Sequence, residues 1–301
     1  MHRYEESEER REKKIKEGRG SGTGADWQAW IKYGEIASKG NKSRQIEGRH
    51  RRPVLTLSDV ETSLLDVLDC DPRVKEIYDQ YPLNREATLA IAEEIGVDHP
   101  RCTGTGTMLT MTSDFVVDYD GPKGVQRVPI QCKHTSNLRD FNTAEHMEIE
   151  RRYWARQGLR LRIVTESDQC IPRAVRQNCE DLMQYRFLQL QPSEAAATLS
   201  FNERVELITA RVSQATSRRT LNEMAHELAT FTNSPVEKFT KVMFNLLYRR
   251  ILQFDVRKPG LLSQDVLDIQ SLTYAAASAG SASLTGAAQV PAALDPHGSQ
   301  A

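Results

Sequence analysis

The stretch SDFVVDYDGPKGVQRVPIQCKH, residues 113–134, decides how the rest of the chain is read. From Thr107 the run TMLTMTSDFVVDYD alternates with the two-residue period of a strand. Leu109, Met111, Phe115, Val117 and Tyr119 fall on one face, and Thr112, Asp114, Val116 and Asp118 on the other. DGPKG supplies turn residues, and VQRVPIQCKH returns as a second strand, with Pro129 pointing to an edge or a bulge. If Phe115, Val117, Ile130 and Cys132 face the core, then Asp114, Gln131 and Lys133 share the opposite face. Neighbouring strands lie about 4.8 Å apart, so those three side chains can converge on one ion. The competing reading is an ordinary surface hairpin, in which a strand Asp is a turn contact and an edge Lys discourages aggregation.

Working outward, LSDVETSLLDVLDCDP reads as a helix starting at Ser58 and stopping before Pro72, with Val60, Leu64, Leu65 and Leu68 forming its apolar stripe. REATLAIAEEIGV is a second helix, ended near Gly96. NTAEHMEIERRYWARQG is a third, and LRLRIVTES a further strand. Strand, helix, strand implies a crossover and a mixed sheet. Upstream, residues 1–18 are dense in charge and GRGSGTG (18–24) is a flexible loop. That loop lacks the Lys-Ser/Thr ending of a phosphate-binding loop, although its glycines allow close backbone approach. Downstream of Ile171 strands largely stop. TLNEMAHELATFT, NSP and VEKFTKVMFNLLYRRI read as helix, turn, helix, and ILQFDV as a wing strand. The final stretch is rich in Ala, Ser and Gly and is expected to be disordered.

The expected organisation is therefore a basic arm with loops at 1–55, an α/β domain at 56–168, a mainly helical winged-helix-like domain at 169–272 and a tail at 273–301. The length of 301 residues allows a sizeable core. No apolar run approaches the roughly 20 residues of a membrane span, and the N-terminus has no apolar region of a secretory signal. Five scattered cysteines, Cys70, Cys102, Cys132, Cys170 and Cys179, contain no Cys-x-x-Cys pair and fit reduced cytosolic thiols. Net charge is -1, against indiscriminate DNA binding by the whole molecule. Residues 1–52, however, hold 14 Lys and Arg against 9 Asp and Glu, a local excess of +5. Such an arm can neutralise phosphates, or can simply be a solvated terminus.

One carboxylate is thin for a Mg²⁺ site, and Glu61 is the candidate for a second. It completes the capping-box pattern Ser58-Asp59-Val60-Glu61, which is a structural role in itself. It also lies on the stripe of Leu65 and Leu68, where a carboxylate is costly to bury without a partner. Glu145, Glu148 and Glu150 on the following helix are expected to form a solvated face, and Asp118 to be exposed near the turn. His99 and His134 receive no catalytic role.

The segments IKEGRGSGTGADWQAWI, LSDVETSLLDVLD, IYDQYPL, AEEIGVDHP, TSDFVVDY, IQCKH and EIERRYWARQG, taken in order, resemble the TnsA endonucleases of heteromeric cut-and-paste transposons across residues 15–166. The resemblance implies a restriction-endonuclease-like mixed sheet flanked by helices. It implies Glu61, Asp114 and Lys133 as catalytic residues, and Gln131 as the metal-site glutamine standing where related nucleases have an acid. It further implies that Glu61, Asp114, Gln131 and the Cys132 carbonyl hold Mg²⁺, one or two ions per site, with Mn²⁺ able to substitute. The implied activity is cleavage of the 5′, non-transferred strand at transposon ends. The implied partners are double-stranded DNA, an integrase-like transposase and an AAA+ ATPase regulator, in the bacterial cytoplasm at the nucleoid. Arg19, Lys42, Arg44, Arg49, Arg51 and Arg52 are the candidate DNA contacts. The alternatives are a stand-alone restriction or repair nuclease and a non-catalytic DNA-binding adaptor.

Overall fold

The computed structural model describes residues 6–35, 43–122, 124–190, 199–215, 219–264 and 270–271. Lys42 and the tail 273–301 lie outside the described residues. The chain divides into two compact units, one reaching to Ile171 and the other starting at Pro172.

The first unit is built on a four-stranded sheet in the order β3-β4-β5-β6. β3 is Val74–Pro82, β4 is Thr112–Gly121, β5 is Gly124–Cys132 and β6 is Arg162–Val164. The first three run antiparallel, with Phe115 opposite Ile130 and Asp79 opposite Phe115. β6 joins β5 in parallel after a helical crossover, α4 (Phe141–Ala155), so the sheet is mixed. β5 is an inner strand, not the edge that Pro129 pointed to. The proline is accommodated because β6 pairs only from Ile130 onward, leaving Pro129 with β4 alone beside it.

β4 is buried on both faces from Ser113 to Tyr119. That is why its pattern is a nearly continuous apolar run broken by acids, not a simple alternation. One face carries Val116 into a cluster with Trp27, Tyr78, Leu83, Trp154 and Leu161. α2 (Asp59–Cys70) starts at Ser58, whose Oγ accepts the Glu61 amide at 3.2 Å, and buries Leu64, Leu65 and Leu68. α3 (Arg85–Ile95) ends on Gly96 with φ 69, a left-handed position suited to glycine.

The N-terminal arm packs into this unit. α1 (Glu8–Lys16) is tied down by an ion pair of Arg85 with Glu8 at 2.6 Å, and Thr105 Oγ1 donates to the Glu6 carbonyl at 2.5 Å. The 18–24 loop does bring backbone close to a neighbour, but the neighbour is protein. A Cβ on Gly20 would meet Pro82 at 2.3 Å. Trp27 and Trp30 are buried. β1 (Ser43–Ile46) and β2 (Pro53–Thr56) form a separate antiparallel pair.

The second unit is mainly helical: α5 (Arg173–Met183), α6 (Phe201–Ser213), α7 (Leu221–Thr232) and α8 (Val236–Tyr248). Capping boxes at Ser200–Glu203 and Thr220–Glu223 start α6 and α7. Asn233 in the left-handed region and Pro235 make the tight α7–α8 turn. Behind α8, β7 (Leu252–Gln253) pairs with β8 (Gln270–Ser271). Buried Asn245 fixes the helices by donating to the Tyr185 carbonyl and Gln189 Oε1, both at 2.7 Å.

Candidate functional site

Asp114, Gln131 and Lys133 meet where β4 and β5 lie side by side. The Cys132 amide donates to Asp114 Oδ2 at 2.7 Å, and the Asp114 amide donates to Gln131 Oε1 at 3.1 Å. Lys133 Nζ stands 3.8 Å from Asp114 Oδ2 and donates to the Cys132 carbonyl at 3.1 Å. Side chain and main chain of two adjacent strands thus hold one another in register. The Cys132 thiol is buried, and burial raises its proton affinity well above the usual thiol range.

Glu61 reaches the same locus from α2. Its Oε2 accepts the Leu57 amide at 2.9 Å and its Oε1 accepts Ser58 Oγ at 2.8 Å. The capping role is real, though it returns to Leu57 and not to the Ser58 amide. Burial pushes the Glu61 carboxyl up to about 8, and the nearby Asp114 adds to the rise. Burial also raises Asp114, against the pull of Lys133 and the Cys132 amide.

Two further residues belong to this locus that pattern reading did not select. Glu150, expected on a solvated face, is 2% exposed. It accepts Ser113 Oγ at 2.5 Å, and Trp154 Nε1 donates to the same Ser113 oxygen at 2.9 Å. Burial pushes Glu150 up to about 8, with Asp114 contributing. Its neighbours Glu145 and Glu148 are partly exposed. Glu148 pairs with Arg151 and Arg152 and is lowered to about 2. The usable signal was spacing, since Ile149 and Glu150 sit on the buried side of a helix otherwise lined with charge. The second residue is Gln80 on β3, 1% exposed, with φ 46, a rare left-handed conformation for a non-glycine residue. Its amide spans from Glu61 Oε2 (3.5 Å) to Thr112 Oγ1 (3.4 Å). Strain of this kind gathers at functional sites.

The donor set facing this locus is all oxygen: two carboxylates, an amide and a carbonyl. That is the chemistry of a hard divalent cation. Buried carboxylates that raise each other's proton affinity are what such a cation would relieve, so the residues fit Mg²⁺. Among the described residues, no three His, Cys, Asp or Glu side chains form a metal-binding group. The shell would therefore draw on Gln131, the Cys132 carbonyl, substrate and water.

The basic candidates separate. Arg52 is buried, paired with Asp79 at 2.6 Å and bonded to the Ile77 carbonyl at 2.9 Å. Arg49 spans Asp69 and the carbonyls of Leu68, Asp71 and Val74. Arg19 pairs with Glu17 and Glu35. Arg49 and Arg52 hold the arm to the domain, and Arg19 ties the arm to itself. Arg44 and Arg51 are exposed, and Lys42 lies outside the described residues. Asp118, expected to be exposed, is buried and bridged by Arg127 at 2.8 Å through both oxygens. His99 is buried against Thr88, and His134 lies near Glu166.

Residues 71–166, which include β3 through β6 and most of this locus, match the family described as TnsA-like endonuclease N terminal. This part of the chain is similar to the TnsA-like endonucleases. The transposon Tn7 transposition protein TnsA of Escherichia coli is 35% identical over 169 residues, 56% of this chain and 60% of that protein. The mixed sheet flanked by helices fits a restriction-endonuclease-like domain. In the matched region Asp114, Gln131, Cys132 and Lys133 come from the β4–β5 hairpin and the residue after it, whereas Glu61 comes from a helix upstream of the matched residues. Among the described residues no helix is long and apolar enough to cross a membrane.

Proposed function

We propose that the chain is a Mg²⁺-dependent DNA endonuclease that cuts the 5′, non-transferred strand at transposon ends, as one subunit of a heteromeric transposase. The observation that carries the reading is the meeting of Asp114, Gln131 and Lys133 on two adjacent strands, with Lys133 Nζ 3.8 Å from Asp114 Oδ2, within a region similar to TnsA. Glu61, Asp114, Gln131 and the Cys132 carbonyl would hold the metal. Bound there, the ion would supply Lewis acidity and lower the pKa of water.

The chain's own residues do the positioning. Asp114 is locked by the Cys132 amide, so its free oxygen has one direction. Lys133, at 26% side-chain exposure, reaches the surface beside it and can neutralise the charge that builds on a phosphoryl oxygen. Burial raises the proton affinity of Glu61 and Glu150 in the metal-free protein, a cost that a bound cation would offset. Arg44 and Arg51 would contact phosphates, and the helix–turn–helix with its short β pair in the second unit is read as winged-helix-like. An integrase-like transposase would cut the 3′ ends, and an AAA+ regulator would license the reaction.

The deciding experiment is a strand-labelled cleavage assay with Mg²⁺, transposon-end DNA and the transposase encoded alongside. Wild type is expected to give a 5′-strand cut that Asp114→Ala and Lys133→Ala lose while the partner's 3′ cut survives. Equal cutting of both strands by the variants would make the chain an adaptor.

A further inference from the structure

Beside the catalytic locus lies a cleft of about 560 Å³, within the 300–1,000 Å³ range of ligand pockets. Gln131, Lys133 and Glu150 of the catalytic locus line it, together with residues of α4 and of the N-terminal segment. Its walls are apolar where Trp30, Leu109, Met111 and Met147 line it. The buried ion pair of Lys14 with Glu6, 3.0 Å apart, also lines it, with the Lys14 ammonium 5.1 Å from the Trp30 ring centre. The His146 ring lines it and makes no hydrogen bond with the described residues, and burial keeps the imidazole toward its neutral form, which both donates and accepts.

Resting on the nuclease reading above, we infer that this cleft receives one nucleobase, turned out of the duplex next to the scissile phosphate. A group held in a cleft that Lys133 lines is a neighbour of the reacting phosphate along the DNA chain, and that neighbour is a nucleoside. Apolar walls with a few polar atoms suit a flat heterocycle that stacks on its faces and bonds through its edge. In a duplex the base faces inward, so occupation requires extrusion, as in enzymes that place a base in a pocket. His146 would bond the base edge, and Met147 would lie against its face. A phosphate alone would leave the apolar walls unused.

The test uses the full-length chain carrying Lys133→Ala, to block cutting, with the partner transposase and end DNA. 2-Aminopurine replaces single bases on either side of the scissile bond. A severalfold rise in fluorescence at one position is expected on complex formation, and Met147→Trp, which fills the cleft, should abolish it. In the cleavage-competent background, Met147→Trp should slow cutting about tenfold on normal DNA but not on DNA lacking that base. His146→Ala gives a second, smaller variant should the tryptophan unfold the domain. If wild type cuts and no position brightens, the cleft proposal is overturned and the nuclease reading stands. If wild type cuts no DNA with Mg²⁺ and its partner, both fall together.

Discussion

The Cys132 amide donates to Asp114 Oδ2 at 2.7 Å, so the strand that carries Lys133 also fixes the carboxylate that Lys133 faces. An acceptor is needed there whatever its charge. Asp114→Asn keeps a carbonyl oxygen for the amide and is expected to fold with a melting temperature at or above wild type. Its Mg²⁺-dependent cleavage should fall at least about a hundredfold, the scale on which a placed charge-stabilising group acts. Thermal melts beside labelled cleavage assays separate the two; a variant that cuts normally removes Asp114 from the site.

Glu61 serves both α2 and the site, and two substitutions part the roles. Ser58→Ala removes the cap bond to the Glu61 amide and should cost about 1 kcal/mol of stability, with cleavage retained within a fewfold. Glu61→Gln keeps the shape and removes the carboxylate that forms above about pH 8, so it should raise metal-free stability at pH 8.5 while abolishing cleavage. Urea unfolding of both variants, paired with activity, reads this out.

Stability should depend on pH through Glu61 and Glu150. Both sit at about 8 in the fold and titrate near 4.3 when unfolded, to within about a unit. Between those values the native state binds more protons than the unfolded state, so stability falls as pH rises. The metal-free protein should melt several degrees higher at pH 5.5 than at pH 8.5. Glu150→Gln should shrink that difference, and Mg²⁺ should raise the melting temperature most at pH 8.5, where its ligands are ionised. A flat melting profile would mean that these carboxyls are solvated.

The arginines of the N-terminal arm should behave as two classes. Arg52→Met leaves Asp79 buried without its partner and is expected to cost about 3–5 kcal/mol. Arg44→Ala and Arg51→Ala should leave stability within about 0.5 kcal/mol and weaken DNA binding, each lowering the salt slope by about one. Chemical unfolding and salt-titrated binding on all three variants check the division.

What the sequence by itself determined is local. The helix over Asp59–Cys70, the stop at Gly96, the hairpin of β4 and β5 and the crossover through α4 follow from period, caps and turn residues, which act over a few positions. So does the pairing of Asp114 with Gln131 and Lys133, because strand alternation alone sets that face. Only the tertiary structure decided which charges are buried. Asp118, Glu150, Arg52 and Arg49 look like surface residues in a list. Their partners Arg127, Ser113, Asp79 and Asp69 are supplied by other elements, many residues away in three of the four cases. β3 is similarly illegible in VKEIYDQYP, because both faces are covered and its polar residues find partners there: Asp79 with Arg52, and Gln80 with Glu61. The desolvation of a charge is set by everything packed around it, and that is a property of the fold and not of the residue.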